Sequence, residues 1–276
     1  MSRSNLSQRI VTGVIGAAAL LLLLIFGDRP GASILAAILS LGMIFEFAEI
    51  SFSLPDKKAK RNLLLLLTLL IAGTKFRFPQ SEYVLTVGAF LVVSVYFLVA
   101  ARQHVAAPSF NIHFHELMFA VFGLLYVAVI PLALVDIRSV PHGLEWVILF
   151  FLIVWSGDTG AYFVGKALGR HKLYALISPK KTVEGAVGGL VLGVLASLAF
   201  RALVFPELSL QAAILIPIPV GIFAQLGDLC ESFLKRAFNK KDSGSILPGH
   251  GGFLDRFDGL VFGLPIMYAC MRLFGV

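Results

Sequence analysis

The stretch from Gln225 to Arg236, QLGDLCESFLKR, carries Asp228, Glu231, Ser232 and Lys235 at positions i, i+3, i+4 and i+7. Residues so spaced share one face of a helix, so a polar stripe runs along an otherwise apolar helix. Glu231 and Lys235 can neutralise one another as an i, i+4 pair. Asp228 has no such partner nearby in sequence, and a buried carboxylate without one takes a proton or binds a cation. Further on, LPGHGGFLDRFD (residues 247–258) packs Pro248, Gly249, His250, Gly251 and Gly252 together. This composition bars a helix and favours a tight, exposed turn. A turn leading into a helix N-terminus presents free N–H groups that suit phosphate oxygens. Asp255 and Asp258 follow one helical turn apart, with Arg256 between them on another face. Lys235, Arg236, Lys240 and Lys241 precede the turn. Asp228, Glu231, Asp255 and Asp258 are hard oxygen ligands of the kind Mg²⁺ prefers, normally completed by water and substrate phosphates.

A third piece, ISPKKTVEG (residues 177–185), combines a chain break at Ser178-Pro179 with Lys180 and Lys181. Thr182 is placed to cap a helix that carries Glu184 in its first turn. A basic cytoplasmic loop explains the lysines but not Glu184. Asp158 lies eight residues before Lys166, at the end of another apolar run. Divalent-metal ligands, backbone donors and many Lys and Arg side chains together fit phosphoryl or nucleotidyl transfer, in which positioning and charge neutralisation do most of the work. Neither a Walker A sequence nor a kinase Gly-rich loop occurs, so a nucleotide site here is of another design. His113-Phe114-His115-Glu116 reads as interfacial polar residues on a loop rather than a metal cluster. Cys230 and Cys270 are too few for a disulfide framework.

These residues sit in a chain that is 58% hydrophobic and only 14% charged, well below the ~25% charge of soluble domains. The deficit runs along the whole sequence and indicates an all-α polytopic integral membrane protein. Apolar runs at 10–27, 31–50, 62–74, 82–101, 116–137, 144–165, 183–205, 210–234 and 257–275 give nine expected spans. The first is too long for a signal-peptide core and reads as a retained helix. With the N-terminus cytoplasmic, 17 Lys and Arg fall inside and 5 outside, Arg201 lying within a span. By the positive-inside rule the N-terminus is inside and the C-terminus outside. Basic cytoplasmic loops also account for the net charge of +7 without nucleic acid. In this frame Asp158, Glu184, Asp228, Glu231, Asp255 and Asp258, with Glu46 and Glu49, form one layer at the inner face. Carboxylates at membrane depth are costly and mark functional sites.

The motif Ser232-x-Leu234-Lys235-Arg236, Lys241-Asp242-x-Gly244, Leu247-Pro248-x-His250-Gly251-Gly252-Phe253-x-Asp255-Arg256-Phe257-Asp258 resembles the signature of the phosphatidate cytidylyltransferase (CDP-diacylglycerol synthase) family. The resemblance extends to Trp155-Ser156-Gly157-Asp158-Thr159-x-Ala161-Tyr162, Ser178-Pro179-Lys180-Lys181-Thr182-x-Glu184-Gly185 and Gly227-Asp228-x-x-Glu231-Ser232. It is carried by motifs from about residue 150 onward and before that by hydropathy alone. It implies a homodimeric enzyme of the bacterial cytoplasmic (inner) membrane, its site facing the cytoplasm. Such an enzyme joins CTP to phosphatidic acid, releasing pyrophosphate and leaving CDP-diacylglycerol among the membrane lipids. It further implies Mg²⁺ on Asp228 and Asp255, with K⁺ beside it, and Glu231 and Asp258 as further candidate ligands. Lys235, Arg236, Lys241 and Arg256 are expected to hold phosphates, and the turn Gly249–Gly252 to donate backbone N–H groups. Ser178, Lys180, Lys181, Asp242, Asp158, Glu184 and Ser232 are expected to bind substrate. His250 is either a catalytic hydrogen-bonder or a positioning residue in the turn.

The expected organisation is a scaffold of about five spans over 1–150, serving dimer contact or lipid access, and a catalytic half over 151–276. Two other readings compete. A CTP-dependent lipid kinase of the dolichol- or phytol-kinase type would give CDP instead. A cation-coupled transporter would need broken helices in paired halves near the midplane, whereas the carboxylates here collect at one face.

Overall fold

The computed structural model describes residues 16, 18–53, 56–78, 82–102, 107–246 and 251–275. Helix α1 (Asp28–Ser51) is followed by α2 (Lys57–Arg77), which folds back along it, then α3 (Glu82–Ala101) and α4 (Ala107–Gly123). The chain continues through a π-helical turn (Leu124–Val129) and a 3-10 turn (Ile130–Leu132) into α5 (Ala133–Arg138). Pro131 lies at this irregularity; it has no N–H to give to the carbonyl four residues back, which breaks the helical ladder there. Helices α6 (Gly143–Leu168) and α7 (Val183–Leu203) flank a hairpin of β1 (Lys172–Tyr174) and β2 (Ser178–Thr182). The short α8 (Leu210–Leu215) leads into α9 (Pro217–Ala237), and α10 (Leu254–Leu273) closes the bundle.

Among the described residues six helical segments are long and apolar enough to cross a bilayer: Asp28–Ser51, Tyr83–Ala101, Asn111–Arg138, Gly143–Leu168, Val183–Leu203 and Leu210–Ala237. They coincide with six of the nine apolar runs. The run 62–74 lies within α2, and α10 covers 257–273 of the run 257–275; both helices have charged residues near both ends. Of the run 10–27, residues 10–15 and 17 lie outside the described residues, and 18–26 are helical. Two local expectations change. The fold is not purely α: Lys172 pairs with Thr182 and Tyr174 with Ser178 in the antiparallel hairpin. His113–Glu116 is helical, within α4, where Glu116 accepts hydrogen bonds from Lys60 Nζ (2.5 Å) and Ser53 N (2.9 Å). That buried ion pair draws the segment into the bundle.

Charged residues collect at the two ends. At one, Arg138 meets Asp28 (2.9 Å) and Lys75 meets Asp136 (2.6 Å), and Arg201 Nε donates to the carbonyl of Leu208 (2.7 Å). At the other, Lys57 and Arg61 hold Glu49 at 2.8 and 2.7 Å, near the Lys60–Glu116 pair. Between them Phe47, Tyr126, Phe150, Leu264 and Met267 are buried in one apolar core. Helices α6 and α7 approach backbone to backbone. A Cβ at Gly160 would stand 2.8 Å from the carbonyl oxygen of Gly188, and one at Gly189 2.7 Å from that of Gly157. Small residues permit such close helix pairs in apolar surroundings, and this pair positions Asp158 and the hairpin.

Candidate active site

Helix α9 carries the expected stripe. Lys235 Nζ lies 2.6 Å from Glu231 Oε2 and reaches across to Asp255 Oδ1 of α10 at 2.5 Å. Ser232 Oγ donates to Asp228 Oδ1 at 3.5 Å. Glu231 is wholly buried, and its Oε1 has no hydrogen-bond partner among the described residues. The two helices meet at Gly227, where a Cβ would sit 2.6 Å from the carbonyl oxygen of Asp258. Asp228, the next residue on α9, therefore stands at the seam with the N-terminal turns of α10. Asp258 Oδ1 accepts the Gly259 N–H at 2.7 Å.

Asp255 is the hub of the loop that follows α9. Its Oδ2 accepts from Ser243 N (2.9 Å), Ser243 Oγ (2.9 Å) and Gly252 N (3.2 Å). Burial alone would raise this carboxyl. The Lys235 ammonium and the Ser243 N–H outweigh it and hold the group down at about 2, because both favour the charged form. Gly252 has no room for a side chain: a Cβ would come within 1.8 Å of Ser243 Oγ and 2.7 Å of Glu46 Oε2. Gly251, with φ at +84°, adopts a conformation that favours glycine. Glu46 enters from α1: its Oε2 accepts from Ser243 Oγ (2.8 Å) and from the Leu254 N–H (2.9 Å).

Beside this hub a cleft of about 500 Å³ opens between α6, the hairpin, α7 and α9, lined by Asp158, Tyr162, Lys166, Lys180, Lys181 and Asp228 among others. Lys181 forms an ion pair with Asp228 across it. Thr182 caps α7 as expected, its Oγ1 accepting from Gly185 N at 3.1 Å. The cleft thus has lysines on the hairpin wall and carboxylates on the helical wall, an arrangement that suits phosphates.

The structure brings together Asp158, Lys180, Lys181 and Asp228 around the cleft, and Glu231, Lys235, Gly252 and Asp255 around the hub. Arg236, Lys241, Asp242 and Arg256 are exposed at this end, the Arg236 guanidinium donating to the carbonyl of Lys240 at 3.1 Å. Ser178 is half-buried in the hairpin opposite Tyr174 and does not line the cleft. Glu184 faces the hairpin's other side. It accepts from Arg170 N (3.0 Å) and His171 N (3.2 Å) and lies 2.5 Å from His171 Nδ1, so it clasps the hairpin's entry. Gly249 and His250 lie outside the described residues.

Mg²⁺ is the divalent ion expected here from the sequence. Among the described residues no group of three or more His, Cys, Asp or Glu side chains is gathered to hold a metal. Mg²⁺ requires less, one or two carboxylates with water and substrate phosphates completing its shell. Asp228 and Asp255 stand on two packed helices, each countered by a lysine, and Glu231, whose Oε1 has no hydrogen-bond partner among the described residues, shares Lys235 with Asp255. These residues fit such an ion.

Sequence reasoning did not single out Ser243, Gln225 or Tyr126 as site residues, and it placed Glu46 in the inner carboxylate layer without a role. Tyr126 sits on the π-helical turn, 1% exposed, and its hydroxyl has no hydrogen-bond partner among the described residues. It packs edge-on against Phe262 (5.5 Å), and its charged neighbours include Asp258, Glu231 and Asp228. The proline-broken helix at Pro131 was the available signal for it. Nothing in the residue pattern pointed to Ser243.

Comparison with known proteins bears on the same residues. The chain is 34% identical over 275 residues to the phosphatidate cytidylyltransferase of Bacillus subtilis (strain 168), covering 98% of this chain and 99% of that protein. It is 46% identical over 154 residues to the phosphatidate cytidylyltransferase of Staphylococcus saprophyticus, covering 56% and 58% of the two chains. The Staphylococcus epidermidis enzyme of the same name is 40% identical over 176 residues, 64% of this chain and 66% of that one. A match to the Cytidylyltransferase family spans residues 7–274 and so takes in the N-terminal helices as well as the cleft and the hub. The chain belongs to the cytidylyltransferase family.

Proposed function

We propose that this protein is a phosphatidate cytidylyltransferase. It condenses CTP with phosphatidic acid, giving CDP-diacylglycerol and pyrophosphate for phospholipid biosynthesis. The observation that carries this reading is the Lys181–Asp228 pair across the cleft, together with Asp255 held by Lys235. It puts cations and hard oxygen ligands together at one end of an apolar bundle, where a soluble nucleotide and a lipid phosphate can meet. An oxygen of the phosphatidate phosphate attacks the α-phosphorus of CTP in line. A new P–O bond forms as the bond to the β-phosphate oxygen breaks, and the electron pair leaves with pyrophosphate. The attacking phosphate is already anionic, so no protein base is required.

Lys180 and Lys181 on the hairpin hold phosphate oxygens on one wall of the cleft. Lys235, Arg236, Lys241 and Arg256 hold those of the second substrate or the leaving group. Asp228 and Asp255 would hold Mg²⁺, with Glu231 and Asp258 nearby and K⁺ as a second cation. When bound, the metal supplies neutralisation of the charge that develops on the transferring phosphates. The turn Gly249–Gly252 would supply backbone N–H donors to the phosphates, apart from the Gly252 N–H that Asp255 takes, and His250 would either hydrogen-bond a phosphate or position the turn. Residues 1–150 form the scaffold and 151–276 the catalytic half. The chain spans the bacterial inner membrane nine times as a homodimer, N-terminus in the cytoplasm, C-terminus outside and the site at the cytoplasmic face.

The test is turnover by detergent-purified protein given labelled CTP, phosphatidic acid and Mg²⁺, with both products identified. CDP-diacylglycerol plus pyrophosphate, lost in folded Asp228→Asn and Asp255→Asn variants, is expected. Free CDP with a newly phosphorylated lipid would move the protein to the lipid kinases, and full activity in either variant would refute the metal assignment.

A further inference from the structure

The contact between α1 and the signature loop has no counterpart in the division of the chain into scaffold and catalytic halves. Glu46 lies 208 residues from Leu254 and 197 from Ser243, yet one of its oxygens takes a hydrogen bond from each. It is 2% exposed, so these bonds form away from water, and charge-assisted bonds to buried carboxylates are the strong ones. The Leu254 N–H belongs to the first turn of α10, one of the four donors that a helix leaves without an internal partner. In this helix the cap is supplied by a residue from the far half of the chain.

Ser243 links that cap to the site. Its hydroxyl has a single hydrogen and stands between Glu46 Oε2 (2.8 Å) and Asp255 Oδ2 (2.9 Å). Whichever oxygen takes it, the Leu254 N–H keeps Glu46 in place, and the N–H groups of Ser243 and Gly252 keep Asp255. The Asp255 N–H in turn donates to Ser243 Oγ at 3.2 Å. The fit leaves no slack, because a Cβ at Gly244 would stand 2.4 Å from Glu46 Oε1 and one at Gly252 2.7 Å from Oε2. Gly244 and Gly252 are both packed against this one carboxyl.

We infer that Glu46 is a positioning residue for the reaction, which sets the orientation of Asp255 by pinning Ser243 and the start of α10. The inference rests on the activity proposed above. Its consequence is that the N-terminal half completes the site. Partners that orient a ligating carboxylate are worth about 10–100-fold in activity.

The experiment compares full-length Glu46→Ala, Glu46→Gln, Ser243→Ala and Glu46→Ala/Ser243→Ala with the wild type in detergent. It reads kcat and KM for CTP, the melting midpoint, and amide exchange over residues 243–254. Glu46→Ala and Ser243→Ala should lose about 10–100-fold in kcat with KM for CTP unchanged. Glu46→Gln keeps an acceptor oxygen and should recover part of the loss. The double variant should be no worse than the poorer single one, since one network carries both effects. Exchange at Ser243, Gly252 and Leu254 should quicken in Glu46→Ala. Wild-type kcat in Glu46→Ala, or additive losses in the pair, would overturn the inference, as would losses that merely follow the melting midpoint. Should Glu46→Ala fail to fold, wild-type kcat in Ser243→Ala overturns it. A wild type that makes no CDP-diacylglycerol refutes the proposed activity alone, and unchanged exchange then refutes the positioning role separately.

Discussion

Replacing Lys235 with Met removes one cation from between two carboxylates while keeping most of the side chain's volume. The two partners are not equally exposed to the loss. Asp255 keeps the Ser243 N–H, the Ser243 hydroxyl and the Gly252 N–H, all within 3.2 Å. Glu231 is wholly buried, and Lys235, at 2.6 Å, is its ion-pair partner. With Glu231 left ionised, removing one member of this buried pair costs about 3–5 kcal/mol, most of it on Glu231, and the cost shrinks towards low pH as the stranded carboxyl takes a proton. At ~2–4 °C per kcal/mol for chains of this size, the midpoint should drop by about 6–20 °C. The assay is heating in detergent followed by fluorescence-detected size-exclusion chromatography of the surviving monodisperse fraction. Lys235→Met/Glu231→Gln removes the stranded charge and should recover at least half the lost stability, while turnover stays absent because the cation proposed to hold phosphate is gone. A Lys235→Met midpoint within about 2 °C of the wild type would refute the argument that Glu231 depends on this lysine.

Gly252→Ala should abolish turnover, because its Cβ would stand 1.8 Å from Ser243 Oγ and must push the hub apart; wild-type kcat would show that the loop yields without harm. Glu184→Ala unties the hairpin entry by removing the acceptor for Arg170 N and His171 N. It should raise KM for CTP several-fold with a smaller effect on kcat, whereas an unchanged KM would separate the hairpin from nucleotide binding. Tyr126→Phe deletes a buried hydroxyl with no partner among the described residues, and thermal stability should hold or rise by about 1 kcal/mol. A fall of that size would mean that the hydroxyl is satisfied in the membrane-embedded protein.

The residue pattern by itself determined the membrane-spanning character, the stripe on α9 and the cap at Thr182. Each of these follows from local rules: apolar length against bilayer thickness, helical spacing and the side-chain oxygen a helix start requires. It also sorted the charged residues to two sides, and they do collect at opposite ends of the bundle. Only the tertiary structure decided which carboxylates serve the site and which serve the fold. Glu184 and Asp158 look alike in sequence, each a carboxylate near the end of an apolar run. Yet Glu184 is consumed by the hairpin entry, while Asp158 lines the cleft. The Asp228–Lys181 pair and the Glu46–Ser243–Asp255 network join residues 47 and 197 or more positions apart. Such pairings depend on how helices pack, and packing is set by close-approach surfaces such as Gly160 against Gly188, which no local rule encodes. For that reason the chemistry was legible before the structure, and its supports were not.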